Sequence, residues 1–69
     1  MKVDDYEAWV IARIEKARAK SPLGVATGGL VGKTAQKKFG AGEVALESAL
    51  TEVRNRGKVA VTNGRWWLR

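Results

Sequence analysis

The chain has 69 residues, enough for one small domain, which buries only about 60% of its unfolded surface and has no room for a closed enzyme cleft. It contains no cysteine and no histidine, so disulfides, zinc fingers, thiol nucleophiles and the ordinary general base are all excluded. Thirteen basic against seven acidic residues give a formal net charge of +6, with a pI near 10.2, which points to phosphate polymers or other anionic partners.

The charge is unevenly spread. Residues 21–41 hold Lys33, Lys37 and Lys38 and no acid, and residues 58–69 hold Lys58, Arg65 and Arg69 alone. Residues 42–57 hold two arginines against three glutamates. The positive charge therefore lies before and after residues 42–57 rather than on them. No apolar run is long enough for a membrane span, and acids stand where a secretory leader needs bases. Neither a metal site nor a cofactor site is expected, and the absence of cysteine fits a reducing compartment.

Taken in chain order, Asp4 with Glu7 three residues later has the form of a capping box, opening a helix that runs to about Lys20. Val3, Tyr6, Val10, Ile14 and Ala17 fall on one stripe, a core face flanked by Trp9, and basic residues gather in the last turns where the helix dipole favours them. Ser21-Pro22-Leu23-Gly24 stops this helix. Val25-Ala26-Thr27 is β-type and is a candidate third strand beside a later hairpin. A second helix, from about Leu30 to Phe39, buries Val31, Ala35 and Phe39. Gly40-Ala41-Gly42 makes a turn, and a third helix runs from about Glu43 to Arg56 with Leu46, Leu50 and Val53 inward.

Gly57 ends the third helix and Lys58 to Thr62 then alternates. Asn63-Gly64 is the strongest short hairpin signal, and Arg65 to Leu68 returns. A two-residue loop sets Thr62 opposite Arg65, Val61 opposite Trp66, Ala60 opposite Trp67 and Val59 opposite Leu68. Alternation then puts Val59, Val61, Trp66 and Leu68 on the core side. Lys58, Thr62, Arg65, Trp67 and Arg69 share the outer side with Ala60, so Trp67 is expected either as an exposed contact surface or folded back towards Trp9.

Gly28-Gly29-Leu30-Val31-Gly32-Lys33-Thr34 is similar to a phosphate-binding loop. However, only three residues separate Gly28 from the Gly-Lys pair where the motif needs four, and Thr27 stands where the glycine should be. A nucleotide-hydrolysing site is not expected. Lys33 and Thr34, near a helix start, are candidates for holding a DNA phosphate.

Ala35-Gln36-Lys37-Lys38-Phe39-Gly40, then Leu46, Leu50 and Val53, then Gly57-Lys58-Val59, resemble the helix-turn-helix and first wing strand of winged-helix DNA-binding domains. By motif the resemblance covers about a third of the chain, and by order of elements nearly all of it. It implies an α+β fold: a single winged-helix domain over residues 1–69, with three helices, a C-terminal β-hairpin wing and a third short strand. One departure is Gln36, which stands where such domains carry a small residue. Its amide must point outward, or the two helices must cross less closely.

The resemblance implies that the third helix enters the major groove with Val44, Glu47, Ser48, Thr51 and Asn55 on its outward face, while Lys37 and Lys38 hold phosphates. Arg65 beside the Asn63-Gly64 tip then grips a phosphate or enters the minor groove. Winged helices that read left-handed duplexes are a poor match, because their asparagine and tyrosine would fall at Glu47 and Thr51.

The expected function is non-enzymatic binding of double-stranded DNA, in transcription regulation or DNA architecture, by a cytoplasmic, nucleoid-associated or nuclear protein. It is expected to be monomeric in solution, with paired binding on DNA allowed. The competing reading is a protein-interaction module whose partner docks on Trp67 and the third helix.

Overall fold

The computed structural model describes residues 1–20 and 22–69. Ser21, the first residue of the expected helix stop, lies outside the described residues. The elements run in the order α1 (Val3–Arg18), β1 (Val25–Ala26), α2 (Gly28–Val31), α3 (Lys33–Phe39), α4 (Glu43–Asn55), β2 (Val59–Thr62) and β3 (Arg65–Leu68). Together they make an α+β fold in which helices cover one face of a three-stranded antiparallel sheet.

Helix α1 buries Tyr6, Val10 and Ile14 completely or nearly so, as the stripe at helical spacing requires, with Val3 and Trp9 packed beside them. It ends at Arg18, two residues before the expected Lys20, where Ala19 and the bond from Lys20 N–H to the Ala17 carbonyl close the last turn. The capping box does not form. Lys2 occupies the N-cap position without a side-chain cap, which places Asp4 inside the helix. Asp4 instead accepts a 2.6 Å hydrogen bond from Arg56, just past α4, and buried Glu7 faces Arg56 at 3.6 Å and Lys58 at 3.4 Å. A local capping pattern has given way to a tertiary clamp between the start of α1 and the α4–β2 junction.

The second expected helix is broken in two. Gly32 is extended (φ −79°, ψ −167°), separating the single turn of α2 from α3. A Cβ at Gly32 would collide with the Gly28 carbonyl oxygen, so the chain closes on itself where only glycine fits. This break turns Leu30 fully inward beside Val31 and Ala35. Gln36 spans the break, its Nε2 donating to the Val31 carbonyl at 3.1 Å. Its half-buried amide therefore points to α2 rather than outward.

The Tyr6 hydroxyl donates to the Leu30 carbonyl at 2.7 Å, and its ring lies in a cluster with Trp9 (6.0 Å, stacked) and Phe39 (5.4 Å, edge-on). This joins α1 to both short helices. Burial pushes the Tyr6 phenol up to about 12 from an ordinary 10. The neutral form is the one the fold prefers, so this contribution is complete below pH 10 and is lost as pH rises through 12. Tyr6→Phe should cost about 1–3 kcal/mol at neutral pH by orphaning the Leu30 carbonyl. A denaturant titration repeated between pH 10 and 12 should show the wild-type advantage over Tyr6→Phe shrinking.

Strand order is β1-β3-β2, which makes β3 central. The hairpin register is the expected one: Val59 faces Leu68, Ala60 faces Trp67, Val61 faces Trp66 and Thr62 faces Arg65. Asn63 (φ 51°) and Gly64 (φ 73°) both adopt the left-handed conformation of a type I′ turn. β1 adds on the other side, with Val25 opposite Trp66 and Ala26 opposite Arg65. Trp66 thus sits between two valines and faces the helices, 7% exposed, and its Nε1 donates to Thr27 Oγ1 at 2.8 Å.

Candidate nucleic-acid interface

Helices α3 and α4 are joined by a three-residue turn. Gly40 takes the left-handed conformation (φ 61°) and Ala41 N–H bonds back to the Gln36 carbonyl, while Gly42 precedes the first turn of α4. The inward face of α4 is Leu46, Ala49, Leu50 and Val53. Its outward face is Val44, Glu47, Ser48, Thr51 and Asn55, all exposed, with Val44 the most exposed large apolar side chain at 80%. The turn joins the first turn of α4 to α3, on which Lys33, Thr34, Lys37 and Lys38 are likewise exposed. None of these three lysines has an ion-pair partner among the described residues.

Two members of the outward face have further constraints. The Thr51 hydroxyl donates to the Glu47 carbonyl one turn back at 3.0 Å, so the donor is engaged within the helix. Asn55 lies at the far end of α4, about 16 Å from Val44 at 1.5 Å per residue. It lines a groove of about 490 Å³ with Arg54, Gly57, Val59, Ala60, Val61 and Arg69 rather than joining the α3 side.

The hairpin departs further. Its tip does not project as a free wing, because the Gly64 carbonyl accepts from Thr27 N–H at 3.1 Å and from the Thr27 hydroxyl at 3.2 Å. Asn63 and Gly64 are exposed, yet they are held at the start of α2. Arg65 does not extend past the tip: its guanidinium reaches back to the Gly24 carbonyl at 3.4 Å. Trp67 is half-buried, its ring lying over Gly24 near Ile14 and Arg18 of α1 rather than beside Trp9. The sheet face that carries it is less available to a protein partner than the alternation suggests.

Sequence reasoning passed over Arg13, Lys16 and Lys20, assigning them only to the helix dipole. They line a shared groove with Ala17 and with Val25 of β1. Plotting the α1 charges at 100° per residue separates them from Asp4, Glu7 and Glu15, a signal present in the sequence.

Comparison with described protein families, with curated proteins and with solved structures returns no match for this chain. Among the described residues, no helix is long and apolar enough to cross a membrane.

Proposed function

We propose that this chain is a non-enzymatic double-stranded DNA-binding domain of winged-helix type, acting in transcription regulation or DNA architecture. The observation that carries the reading is the α3–Gly40–α4 unit, in which exposed lysines without ion-pair partners precede a helix whose outward face sets Val44, Ser48 and Thr51 around one acid, Glu47. The sheet order β1-β3-β2 and the register of the hairpin support the same reading.

Lys33, Lys37 and Lys38 supply sequence-independent attraction to phosphates, with Thr34 beside them at the start of α3. Val44 and the Thr51 methyl are suited to thymine methyl groups, and Ser48 to a hydrogen bond at a base edge. Glu47 would repel the backbone unless it accepts from a cytosine amino group, which makes it a filter more than an anchor. With Arg65 turned back to Gly24 and the tip tied to Thr27, the hairpin contributes less than a projecting wing does.

The test is fluorescence anisotropy with a random-sequence DNA duplex, the matched single strand and a matched RNA duplex, each titrated at several salt concentrations. Preferential duplex DNA binding with a steep negative salt slope is expected. Lys37→Ala with Lys38→Ala should weaken binding across sequences and flatten the slope of log K against log salt by about 2. Negligible wild-type binding at low salt, or an unchanged slope in the double variant, would overturn the proposal.

A further inference from the structure

The charges of α1 are largely, not wholly, sorted by flank. Asp4, Glu7 and Glu15 project to one side of the core stripe with Arg18 among them, and Arg13 and Lys16 project to the other, which Asp5 shares about 12 Å from Arg13 at the start of the helix. The acidic flank is occupied: Asp4 and Glu7 engage Arg56 and Lys58. The basic flank is not. Arg13, Lys16 and Lys20 have no ion-pair partner among the described residues.

Arg13 and Lys16 form a ridge between two shallow grooves. One, of about 230 Å³, is completed by Ala17, Lys20 and Val25. The other, of about 200 Å³, is completed by Trp9 and Ala12. The Arg13 guanidinium lies 5.5 Å from the centre of the Trp9 ring, an arrangement that orients the planar cation and leaves its edge free to donate. Trp9 meets Phe39 edge-on at 5.8 Å, and the Lys38 ammonium lies 5.9 Å from the Phe39 ring. An aromatic seam therefore links the basic flank of α1 to Lys38 of α3.

We propose that this flank of α1, continued through the Trp9–Phe39 seam to Lys38, grips a second stretch of duplex phosphodiester backbone. The proposal rests on the DNA-binding reading of α3 and α4 and extends the footprint to a helix outside the helix-turn-helix. From Arg13 to Lys20 the rise is about 10 Å, which matches on the order of three phosphates at ~3.4 Å per charge along one strand. A repeating anion suits the surface better than a bilayer does. The exposed large apolar side chains are Met1, Leu23 and Val44, and none of them lines either groove. The large apolar side chains in the grooves, Trp9 and Val25, are both part-buried against the core, and the rest of the lining is small alanines and the methylene stems of the cations themselves.

The variant Arg13→Gln/Lys16→Gln/Lys20→Gln, measured by anisotropy on a random duplex across salt concentrations, should bind more weakly at every sequence. Its slope of log K against log salt should be flatter by about 2–3, at ~0.9 per phosphate. Arg18→Gln/Arg54→Gln/Arg69→Gln removes the same formal charge elsewhere and should change the slope by less than half as much. Circular dichroism and thermal melting of both variants establish that each is folded. Wild-type binding with an unchanged slope in the α1 variant overturns this proposal and leaves the α3–α4 reading standing. Equal flattening by the two variants also overturns it, since bulk charge would then suffice. Negligible wild-type binding overturns both readings.

Discussion

Trp66→Ala is expected to leave little folded protein at 37 °C. Truncating a buried indole costs about 3–5 kcal/mol. A domain of this length has a total stability of roughly 3–10 kcal/mol at 0.05–0.15 kcal/mol per residue. The position makes the loss worse, because Trp66 is on the central strand, flanked by Val25 and Val61, and no neighbour can collapse into the space without pulling the sheet apart. The Thr27 hydroxyl would also lose the indole N–H that reaches it at 2.8 Å. Thermal melting followed by far-ultraviolet circular dichroism checks this. A folded variant melting within a few degrees of wild type would show that the sheet does not depend on this side chain. Trp66→Phe, which keeps the ring packing and loses only the hydrogen bond, should fall between the two.

Gly24→Ala should be the most damaging of the single-methyl additions at the glycines with positive φ. Gly24 sits at φ +82°, a conformation that costs an L-residue roughly 1–2 kcal/mol. A Cβ there would lie 2.8 Å from the Trp66 carbonyl oxygen and 3.2 Å from the Trp67 ring. The carbonyl belongs to the central strand and cannot retreat without breaking its pairing with β1, so the methyl must push the Gly24 segment outward. Overpacking of this kind adds about 1–3 kcal/mol. The expected sum, about 2–4 kcal/mol, should appear as a lower denaturation midpoint with an unchanged denaturant slope. Gly40→Ala is the matched comparison, since φ is also positive there but nothing lies within 4 Å of the added atom. Only the conformational cost should then remain. Equal losses at the two sites would show that crowding against Trp66 contributes nothing.

The parts of this fold that were legible in sequence are those decided within a few residues. Asn63-Gly64 accepts two successive left-handed conformations, and that turn alone sets the pairing of the next four residues on each side. The buried stripe of α1 and the inward face of α4 follow from helical spacing and needed no partner to be named. Most of the illegible parts depend on groups distant in the chain. The break at Gly32 is local, since Gly28 presses on it from four residues back, but the glycines there read equally as a turn before one helix. Asp4 and Glu7 carry a local capping signature, yet Arg56 and Lys58, some fifty residues on, take both carboxylates. The outward face of α4 was legible as exposed surface, because burial follows from spacing. The fate of Arg65 and Trp67 was not, because Gly24 passes against the sheet at a point that no periodicity marks.

The same clamp decides where positive charge remains on the surface. Arg56 is held more firmly in its charged form by its hydrogen bond to Asp4, and the pair, with Glu7 and Lys58, leaves that end of the molecule close to neutral. Cations on α1 and α3 are left uncompensated by comparison, which gives the interface its sign without a long run of basic residues.

Because β3 is both the middle strand and the last element in the chain, neither β1 nor β2 has a sheet partner until Arg65–Leu68 has been synthesised. The helices can meet one another before that moment, but the ladder cannot begin. Until the four residues Arg65–Leu68 dock, β1 and β2 therefore stay unpaired, and their arrival closes both sides of the sheet together.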